Sequence, residues 1–444
     1  MTLADPISSV AAPAPVDDRD TDTDIDTGTD TGPSEYDRFL EALRPAVMGP
    51  RLATAFGGGP DRCHVLDAKL EPGVRAMVLY EHGPRLVRGD VIPAAGDDPE
   101  PSAVTVAPGV RLHPFPHDPD LPRLPELMEG AAPVALVARV RGGRPDAPCV
   151  VRRLLLRYRP GKRATVLLRF PGGGLVVKAY HDPAKAAAVA AEAQALGRAA
   201  RDSDGRLRFA PTVGHDPDLA VVVQQVVHGR PLDAMLGTGV AGPGSDAERA
   251  VRLAARALAA LHAAGTVTSR RRDGDRELRR FSQRALGIAS VDPLTGEAAG
   301  LLAERLARTQ SGLPAARLGP VHGDCKPSQF LLDGAGVVVM DLDHVGEADQ
   351  AGDVGTFLAS LRQLALRRSP GVGVRGSVPS ALGHAFVDAY LSCADDDVLA
   401  RIRWQEAVAL ERKALRAFAR APRSPLALGL IREAERCLDV LEAS

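Results

Sequence analysis

The sequence predicts an α+β protein with a β-rich lobe, a mainly helical lobe and an N-terminal extension. Apolar residues alternate with polar ones between about residues 150 and 180, which is typical of antiparallel strands. After residue 230 the apolar spacing becomes that of amphipathic helices. The 444 residues, of which 45% are hydrophobic, suffice for two or three domains with a sizeable core.

The composition argues against some partners and compartments. The chain has 55 basic and 56 acidic residues, a balance that gives no general field for nucleic acid or an anionic membrane. Its 5 cysteines are widely spaced and form no CxxC pair, as in a reduced cytosolic protein. It has neither an apolar run of about 18 residues nor a secretory signal. We therefore expect a cytoplasmic protein that binds neither nucleic acid nor a membrane.

The N-terminal extension has two parts. Residues 1–34 are rich in Ala, Pro, Thr and Asp and are predicted to be a disordered acidic tail. Residues 35–130 have no predicted role and begin with a helical pattern over 35–56. Within them, LEPGVRAMVLY (70–80) shares P-G-x-R-A-x-V-L with YRPGKRATVLL (158–168). The first segment is either a degenerate copy of a hairpin in the β-rich lobe or a chance match between turn-strand segments.

The β-rich lobe is predicted to span residues 131–229. Turns at Pro160-Gly161 and at PGGG separate three strands, and the third strand contains Lys178. Asp182 and Pro183 then begin an Ala-rich helix over about 183–200 that carries Glu192. Another buried strand is expected within LAVVVQQVVHG (219–229).

The helical lobe is predicted to span residues 230–444. Its pattern indicates helices over 248–265, 298–310, 379–392, 398–420 and 426–442. Between the first two, we interpret SRRRDGDRELRRFS (269–282) as a charged linker whose arginines form a solvated face.

One stretch of the helical lobe, VHGDCKPSQFLLDGAGVVVMDLDHVG (321–346), has a different pattern. A strand begins at Phe330, Asp333-Gly334 turns the chain, and a second strand returns to Met340. This hairpin brings Asp341 to the same edge of the structure as Asp324.

These residues match the requirements of phosphoryl transfer, which needs a base for the acceptor hydroxyl, oxygen ligands for Mg²⁺ and a lysine on the phosphates. We assign Asp324 as the base, Gln329 and Asp341 as metal ligands, and Lys178 as the phosphate holder, with Glu192 as the partner of Lys178. The expected cofactors are ATP and Mg²⁺, and the substrate is a small hydroxylated molecule. Structural roles in turns, strands and helix surfaces remain the alternative for each residue.

The motifs resemble those of the aminoglycoside phosphotransferase and choline kinase group, distant relatives of protein kinases. The segments that carry the resemblance are His322-Gly323-Asp324, Met340-Asp341-Leu342-Asp343, Asp349 to Val354 and the helix end Leu258 to Gly265. The resemblance covers about residues 150 to 420 and implies a two-lobed protein kinase-like fold. It also implies that Asp353 braces the catalytic loop, while His322 is interpreted as a hydrogen-bonded holder of that loop.

Two features depart from the family pattern. Gln329 stands where the family usually has Asn, although an amide oxygen can still coordinate magnesium. There is no G-x-G-x-x-G loop, and Pro160-Gly161-Lys162 is a short substitute for it. Asp343 is either a second metal or substrate contact or a structural hydrogen-bonding group.

The leading hypothesis is an ATP- and magnesium-dependent phosphotransferase that acts on a hydroxyl of a sugar, an amino sugar or an aminoglycoside-like compound. A second is a kinase-like nucleotide-binding protein without transfer activity. A third is a metal-dependent phosphoesterase with His322, Asp324, Asp341 and His344 as ligands. The acceptor is not readable, because the helices after residue 379 carry both aspartates (Asp388, Asp395, Asp396 and Asp397) and many arginines.

Overall fold

The computed structural model describes residues 34–92, 104–106, 109–140, 142, 151–201, 203, 205–236, 244–265, 270–271, 273–368, 378–394 and 398–443. They form two compact units that divide between Phe115 and Pro116. The predicted disordered tail lies outside the described residues except for Ser34, whose side chain caps the first helix.

The first unit is an antiparallel sheet with two helices. Its elements are α1 (Glu35–Ala42), α2 (Pro45–Phe56), β1 (Cys63–Glu71), β2 (Arg75–His82), β3 (Arg85–Val91), β4 (Val104–Val106) and β5 (Val110–Pro114). The helical pattern over 35–56 is thus divided into two helices, the second beginning at Pro45, a residue suited to a first helical position. The buried Tyr80 ties the sheet to α1, since its hydroxyl donates to the carbonyl of Ala42 at 2.7 Å.

The second unit begins with α3 (Leu124–Met128) and α4 (Ala132–Val140), and the predicted boundary at residue 130 falls between them. The β-rich lobe follows, with β6 (Arg152–Arg159), β7 (Arg163–Phe170), β8 (Gly173–Tyr180), α5 (Pro183–Arg201), β9 (Thr212–Asp216) and β10 (Val221–Gln225). The three predicted strands, the Ala-rich helix and the later buried strand are confirmed.

The sheets of the two units have the same topology. The strand orders are β1-β2-β3-β5-β4 and β6-β7-β8-β10-β9, and all neighbours are antiparallel. The shared P-G-x-R-A-x-V-L segments form the turn between the first two strands of each sheet and the beginning of the second strand. In this register Arg75 corresponds to Arg163, and Asp90 occupies the position of Lys178. This correspondence supports the proposal that the first sheet is a degenerate copy of the second.

The rest of the second unit is mainly helical, as predicted. Its elements are β11 (Arg230–Pro231), α6 (Leu232–Leu236), α7 (Asp246–His262), α8 (Gly274–Ala289), α9 (Pro293–Gln310), β12 (Leu318–Val321), β13 (Phe330–Asp333), β14 (Gly336–Val339), β15 (Gly346–Asp349), α10 (Ala351–Arg368), α11 (Val378–Leu391), α12 (Leu399–Arg420) and α13 (Leu426–Glu442). β13 and β14 form the predicted antiparallel hairpin.

The interpretation of residues 269–282 as a linker is wrong, because α8 begins within this segment. The Asp273 side chain caps the helix by accepting from the amide of Asp275. Leu278, Phe281, Ala285 and Ile288 then recur at helical spacing and are buried. The arginines between them obscured this stripe.

The core of the helical lobe supports the hairpin. Phe330 at the start of β13 packs edge-on against Phe357, with ring centroids 6.0 Å apart. Phe357 stacks in turn on Phe386 of α11, at 3.8 Å. All three rings are fully buried, so the hairpin is anchored to α10 and α11 by aromatic packing. No helix within the described ranges is long and apolar enough to cross a membrane.

A buried glutamate in α12 gives a prediction about stability. Neither carboxyl oxygen of Glu411 has a hydrogen-bond partner among the described residues, and burial raises its pKa from 4.5 to about 8. At neutral pH Glu411 is therefore protonated in the folded protein and ionised in the unfolded chain. As a result, its burial lowers the free energy of unfolding progressively as pH rises from about 4.5 to 8. We expect Glu411→Gln to raise the free energy of unfolding at pH 7 by on the order of 1–3 kcal/mol and to change it little at pH 4.

The measurement is urea unfolding at both pH values, with Glu304→Gln on the exposed face of α9 as the control. An equal effect of Glu411→Gln at both pH values would contradict the proposed protonation.

Candidate active site

Asp353 of α10 holds the loop that follows β12 by hydrogen bonds to its backbone. We call residues 322–329 the HGD loop. The Asp353 carboxylate accepts hydrogen bonds from the amides of His322 and Gly323, at 2.5 and 2.8 Å, and lies 3.1 Å from Nε2 of His262. Gly323 has a φ of 76°, a conformation that favours glycine. These contacts confirm the predicted bracing role of Asp353.

His322 holds the loop through its ring. Its Nε2 lies 2.8 Å from the carbonyl oxygen of Met340, and its Nδ1 lies 3.3 Å from the amide nitrogen of Asp324. The contacts fit the tautomer with hydrogen on Nε2, which donates to the carbonyl while Nδ1 accepts from the amide. The interpretation of His322 as a loop holder is confirmed.

Asp324 presents a charged carboxylate within the HGD loop. Its Oδ2 lies 2.5 Å from Nζ of Lys326 and 3.5 Å from Nε2 of Gln329. Burial raises the pKa of Asp324, but Lys326, His344 and Arg416 lower it by more than this. The resulting pKa is about 2. The carboxylate is therefore ionised at neutral pH and can accept a hydrogen bond from a hydroxyl.

The hairpin places Asp341 beside the same amide. Nε2 of Gln329 is 3.4 Å from Oδ2 of Asp341, so the side chain of Gln329 lies between Asp341 and Asp324. This juxtaposition is the one predicted from the hairpin. Asp341 has φ 59° and ψ 63°, in the left-handed region that residues other than glycine rarely adopt. Such strained positions cluster at functional sites.

Four charged side chains meet next to the hairpin, and we call them the four-charge cluster: Arg163 of β7, Lys178 of β8, Asp341 and Asp343. Three of them are buried, and Asp341 is partly exposed. Nζ of Lys178 lies 2.8 Å from Asp341 and 2.9 Å from Asp343. The Arg163 guanidinium lies 2.9 Å from Asp341 and also donates to Asp343, which accepts from the Tyr180 hydroxyl at 2.9 Å. Two cations thus balance two anions at the junction of the β-rich and helical lobes.

The pairing within the four-charge cluster sets the charge states. Burial raises the pKa of Asp341, but Lys178 and Arg163 hold it well below its usual range. Burial lowers the pKa of Lys178, although Asp341 opposes this effect. Lys178 therefore points into the site, as predicted. Glu192 is buried in α5, and its pairing with Lys178 stays a prediction.

Sequence reasoning missed two cations of the site. Arg163 follows the Pro160-Gly161-Lys162 turn and appeared only as part of the shared hairpin motif. Lys326 lies two residues after Asp324, and this proximity was the signal that could have identified it. Asp343, for which the sequence predicts either a metal or substrate contact or a structural role, accepts hydrogen bonds from Lys178, Arg163 and Tyr180.

The oxygen atoms at the site suit a magnesium ion completed by phosphates. Within the described part of the chain, no group of three or more His, Cys, Asp or Glu could hold a metal alone. Mg²⁺ is usually bound through one or two carboxylates together with water and substrate phosphates. Asp341 can supply one such oxygen, and Gln329 can supply a second when its amide turns so that Oε1 replaces Nε2 next to Asp341. The phosphoesterase alternative fits poorly, because both ring nitrogens of His322, one of its ligands, are already engaged.

Comparison with known proteins points to one family. The model of the "Phosphotransferase enzyme family" matches residues 160–390. A search of curated proteins finds no match.

Three solved structures illustrate the structural similarity. Choline kinase LicA from Streptococcus pneumoniae is 10% identical, with a TM-score of 0.44, and the match covers 66% of this chain and 95% of that one. Macrolide 2′-phosphotransferase MphH from Brachybacterium faecium is 17% identical, with a TM-score of 0.38 and coverages of 66% and 98%. Amicoumacin kinase hAmiN, in complex with AMP-PNP, Ca²⁺ and Ami, is 13% identical, with a TM-score of 0.46 and coverages of 65% and 88%.

The bracing of the HGD loop gives a second prediction about stability. Asp353→Ala removes a carboxylate that accepts from the buried amide of His322 and the partly buried amide of Gly323. We expect it to lower the free energy of unfolding by on the order of 3 kcal/mol. The control is Asp439→Ala, which removes an exposed partner of Arg305 and should cost at most about 1 kcal/mol. Urea unfolding measures both, and similar losses in the two variants would contradict the bracing role.

Proposed function

The chain belongs to the phosphotransferase enzyme family and acts on a hydroxyl of a small molecule, and from this premise we propose that it uses ATP and Mg²⁺ at the site described above. The observation that carries the proposal is the placement of Asp324 and Asp341 on either side of Gln329, with Lys178 within 2.8 Å of Asp341. These are the base, the metal ligands and the phosphate-binding lysine that the transfer requires.

Asp324 orients the acceptor hydroxyl and receives its proton. The hydroxyl donates its hydrogen bond to the Asp324 carboxylate, and its oxygen attacks the γ-phosphorus of ATP. The bond from this phosphorus to the β–γ bridging oxygen breaks, ADP leaves, and the hydroxyl proton passes to Asp324. Because the pKa of Asp324 is about 2, its main contribution is to orient the hydroxyl, and the proton is soon lost to solvent.

The two cations of the four-charge cluster bind the phosphates of ATP. Its charges already balance, so an incoming triphosphate competes with Asp341 and Asp343 for Lys178 and Arg163. Exchange of a carboxylate oxygen for a phosphate oxygen keeps each cation paired and frees Asp341. Asp341 and Gln329 would then hold Mg²⁺, which neutralises the phosphates when it is bound.

Thermal unfolding with and without magnesium–ATP tests the nucleotide site. Ligand that binds only the native state at a hundredfold excess over its Kd stabilises it by about 2.7 kcal/mol. We expect the wild type to show this shift, Asp341→Asn to lose its magnesium-dependent part, and Asp324→Asn to retain it. Asp246→Asn, at an exposed position in α7, is the control. The absence of a shift in the wild type, or a full shift in Asp341→Asn, would contradict the proposal.

Transfer is measured as ADP release over a panel of hydroxylated acceptors. Loss of the Asp324 carboxylate should lower the rate by at least about a hundredfold while nucleotide binding persists. Binding without transfer to any acceptor would instead support a kinase-like nucleotide-binding protein.

The role of Gln329 can be tested separately from that of Asp341. Gln329→Leu keeps the approximate side-chain size but removes the amide oxygen, so we expect magnesium–ATP to bind about tenfold more weakly. Gln329→Asn keeps an amide and should retain more of the affinity. Calorimetric titration of both variants gives the comparison, and equal affinity of Gln329→Leu and the wild type would rule out Gln329 as a ligand.

A further inference from the structure

Helix α12 directs a row of cations toward Asp324. Arg412, Arg416 and Arg420 are four residues apart and therefore lie on one face of the helix, with Lys413 beside them. Nη1 of Arg412 lies 3.5 Å from the Thr356 hydroxyl of α10, the helix whose Asp353 holds the HGD loop. The negative charge of Asp324 also acts on Arg412, Lys413 and Arg416. This face therefore borders the side of Asp324 that belongs to the helical lobe.

Two of the cations near Asp324 have acidic partners. Nε of Arg412 lies 2.6 Å from Oε1 of Glu277 in α8, and Nζ of Lys326 lies 2.5 Å from Asp324 itself. Each of these cations is held in an ion pair within the protein.

Lys413 and Arg416 lack such partners. Nζ of Lys413 lies 3.3 Å from the neutral Gln363 side chain, and no carboxylate of the described residues is within ion-pair distance of Lys413 or Arg416. Burial and then Lys326 lower the pKa of Lys413 to about 7, although Asp324 opposes this. Arg416 thus carries a positive charge without an acidic partner among the described residues, and Lys413 is about half protonated at pH 7. An anion beside both would relieve the repulsion and favour the charged form of Lys413.

The nucleotide has cations of its own on the other lobe. Lys178 and Arg163 belong to β8 and β7, and Arg157 and Arg159 lie on β6 before the Pro160-Gly161 turn. Burial, Arg157 and Arg163 lower the pKa of Arg159 to about 10, so positive charge is crowded on this side as well. Lys413 and Arg416 are therefore left for the acceptor.

Of the aspartates considered from the sequence, Asp388 alone is among the described residues, and it does not pair with Lys413 or Arg416. Asp388 lines a cavity of about 420 Å³ among α10, α11, α12 and α13, whose lining does not include Asp324. Residues 395–397 lie outside the described residues. A polycationic acceptor would accordingly meet repulsion from α12.

We propose that the acceptor is a hydroxylated compound bearing a phosphate or carboxylate group, which Lys413 and Arg416 bind while its hydroxyl contacts Asp324. This inference rests on the proposed function, because it takes Asp324 as the residue that receives the acceptor. Arginine and lysine bind such anions through charge-assisted hydrogen bonds.

The test uses probes that share one carbon skeleton: glucose 6-phosphate, glucose and glucosamine. Protein saturated with magnesium–AMP-PNP, which fills the γ-phosphate position, is titrated with each probe in a calorimeter. Glucose 6-phosphate should bind at least about tenfold more tightly than glucose, and glucosamine more weakly than glucose. Lys413→Gln and Arg416→Gln should each weaken glucose 6-phosphate about tenfold and leave glucose unchanged. Arg256→Gln, on the exposed face of α7, should change neither.

The inference is overturned if glucosamine binds as tightly as glucose 6-phosphate, if the phosphate ester does not bind, or if Lys413→Gln and Arg416→Gln leave its affinity unchanged. Failure of the proposed function is seen separately, as absence of AMP-PNP binding by the wild type. In that case glucose 6-phosphate is titrated without nucleotide into the wild type and Arg416→Gln. A lower affinity of the variant would show that the anion site exists, and equal affinities would show that it does not. Arg416 is exposed, so its replacement should not disturb folding.

Discussion

The four-charge cluster is the interaction on which the site depends. Charges removed from water are stable only when they are closely paired, and loss of one partner leaves the other strongly destabilising. Arg163 and Lys178 come from the β-rich lobe, while Asp341 and Asp343 follow the hairpin. The same ion pairs therefore join the lobes and contain the two cations of the proposed phosphate site. Nucleotide binding that exchanges these pairs must therefore also change how tightly the lobes are held together.

A separate network fixes Asp324. Asp353 holds the backbone of the HGD loop, and His322 ties that loop to the end of the hairpin. The proposed exchange of partners in the four-charge cluster can consequently occur while Asp324 keeps its position. Asp353 is buried and bonded to backbone amides, whereas Asp341 is bonded to long flexible side chains. Asp341 is also more exposed than Asp353, and the proposed function requires Asp353 to stay in place while Asp341 exchanges its partners.

The sequence was most informative where contacts are local. The hairpin and the approach of Asp324 to Asp341 could be predicted because a short apolar stretch and one turn separate them. Arg163 could not be assigned, because its carboxylate partners lie 178 and 180 positions further along the chain. Helix α8 was missed because the arginines hid a stripe of four buried apolar residues. The cations of α12 near Asp324 could be recognised only from the fold, since α12 begins 70 positions after the HGD loop ends.

The sheet of the first unit shares the topology of the β-rich lobe but has no lysine at the position of Lys178. Its strand order and turn match those of the β-rich lobe, and Arg75 corresponds to Arg163. Asp90 nevertheless stands in the register of Lys178, where it bonds to Arg88 and lies 3.4 Å from His113. A carboxylate at that position repels a triphosphate instead of binding it. The shared topology therefore supports a common origin for the two sheets but argues against a second nucleotide site.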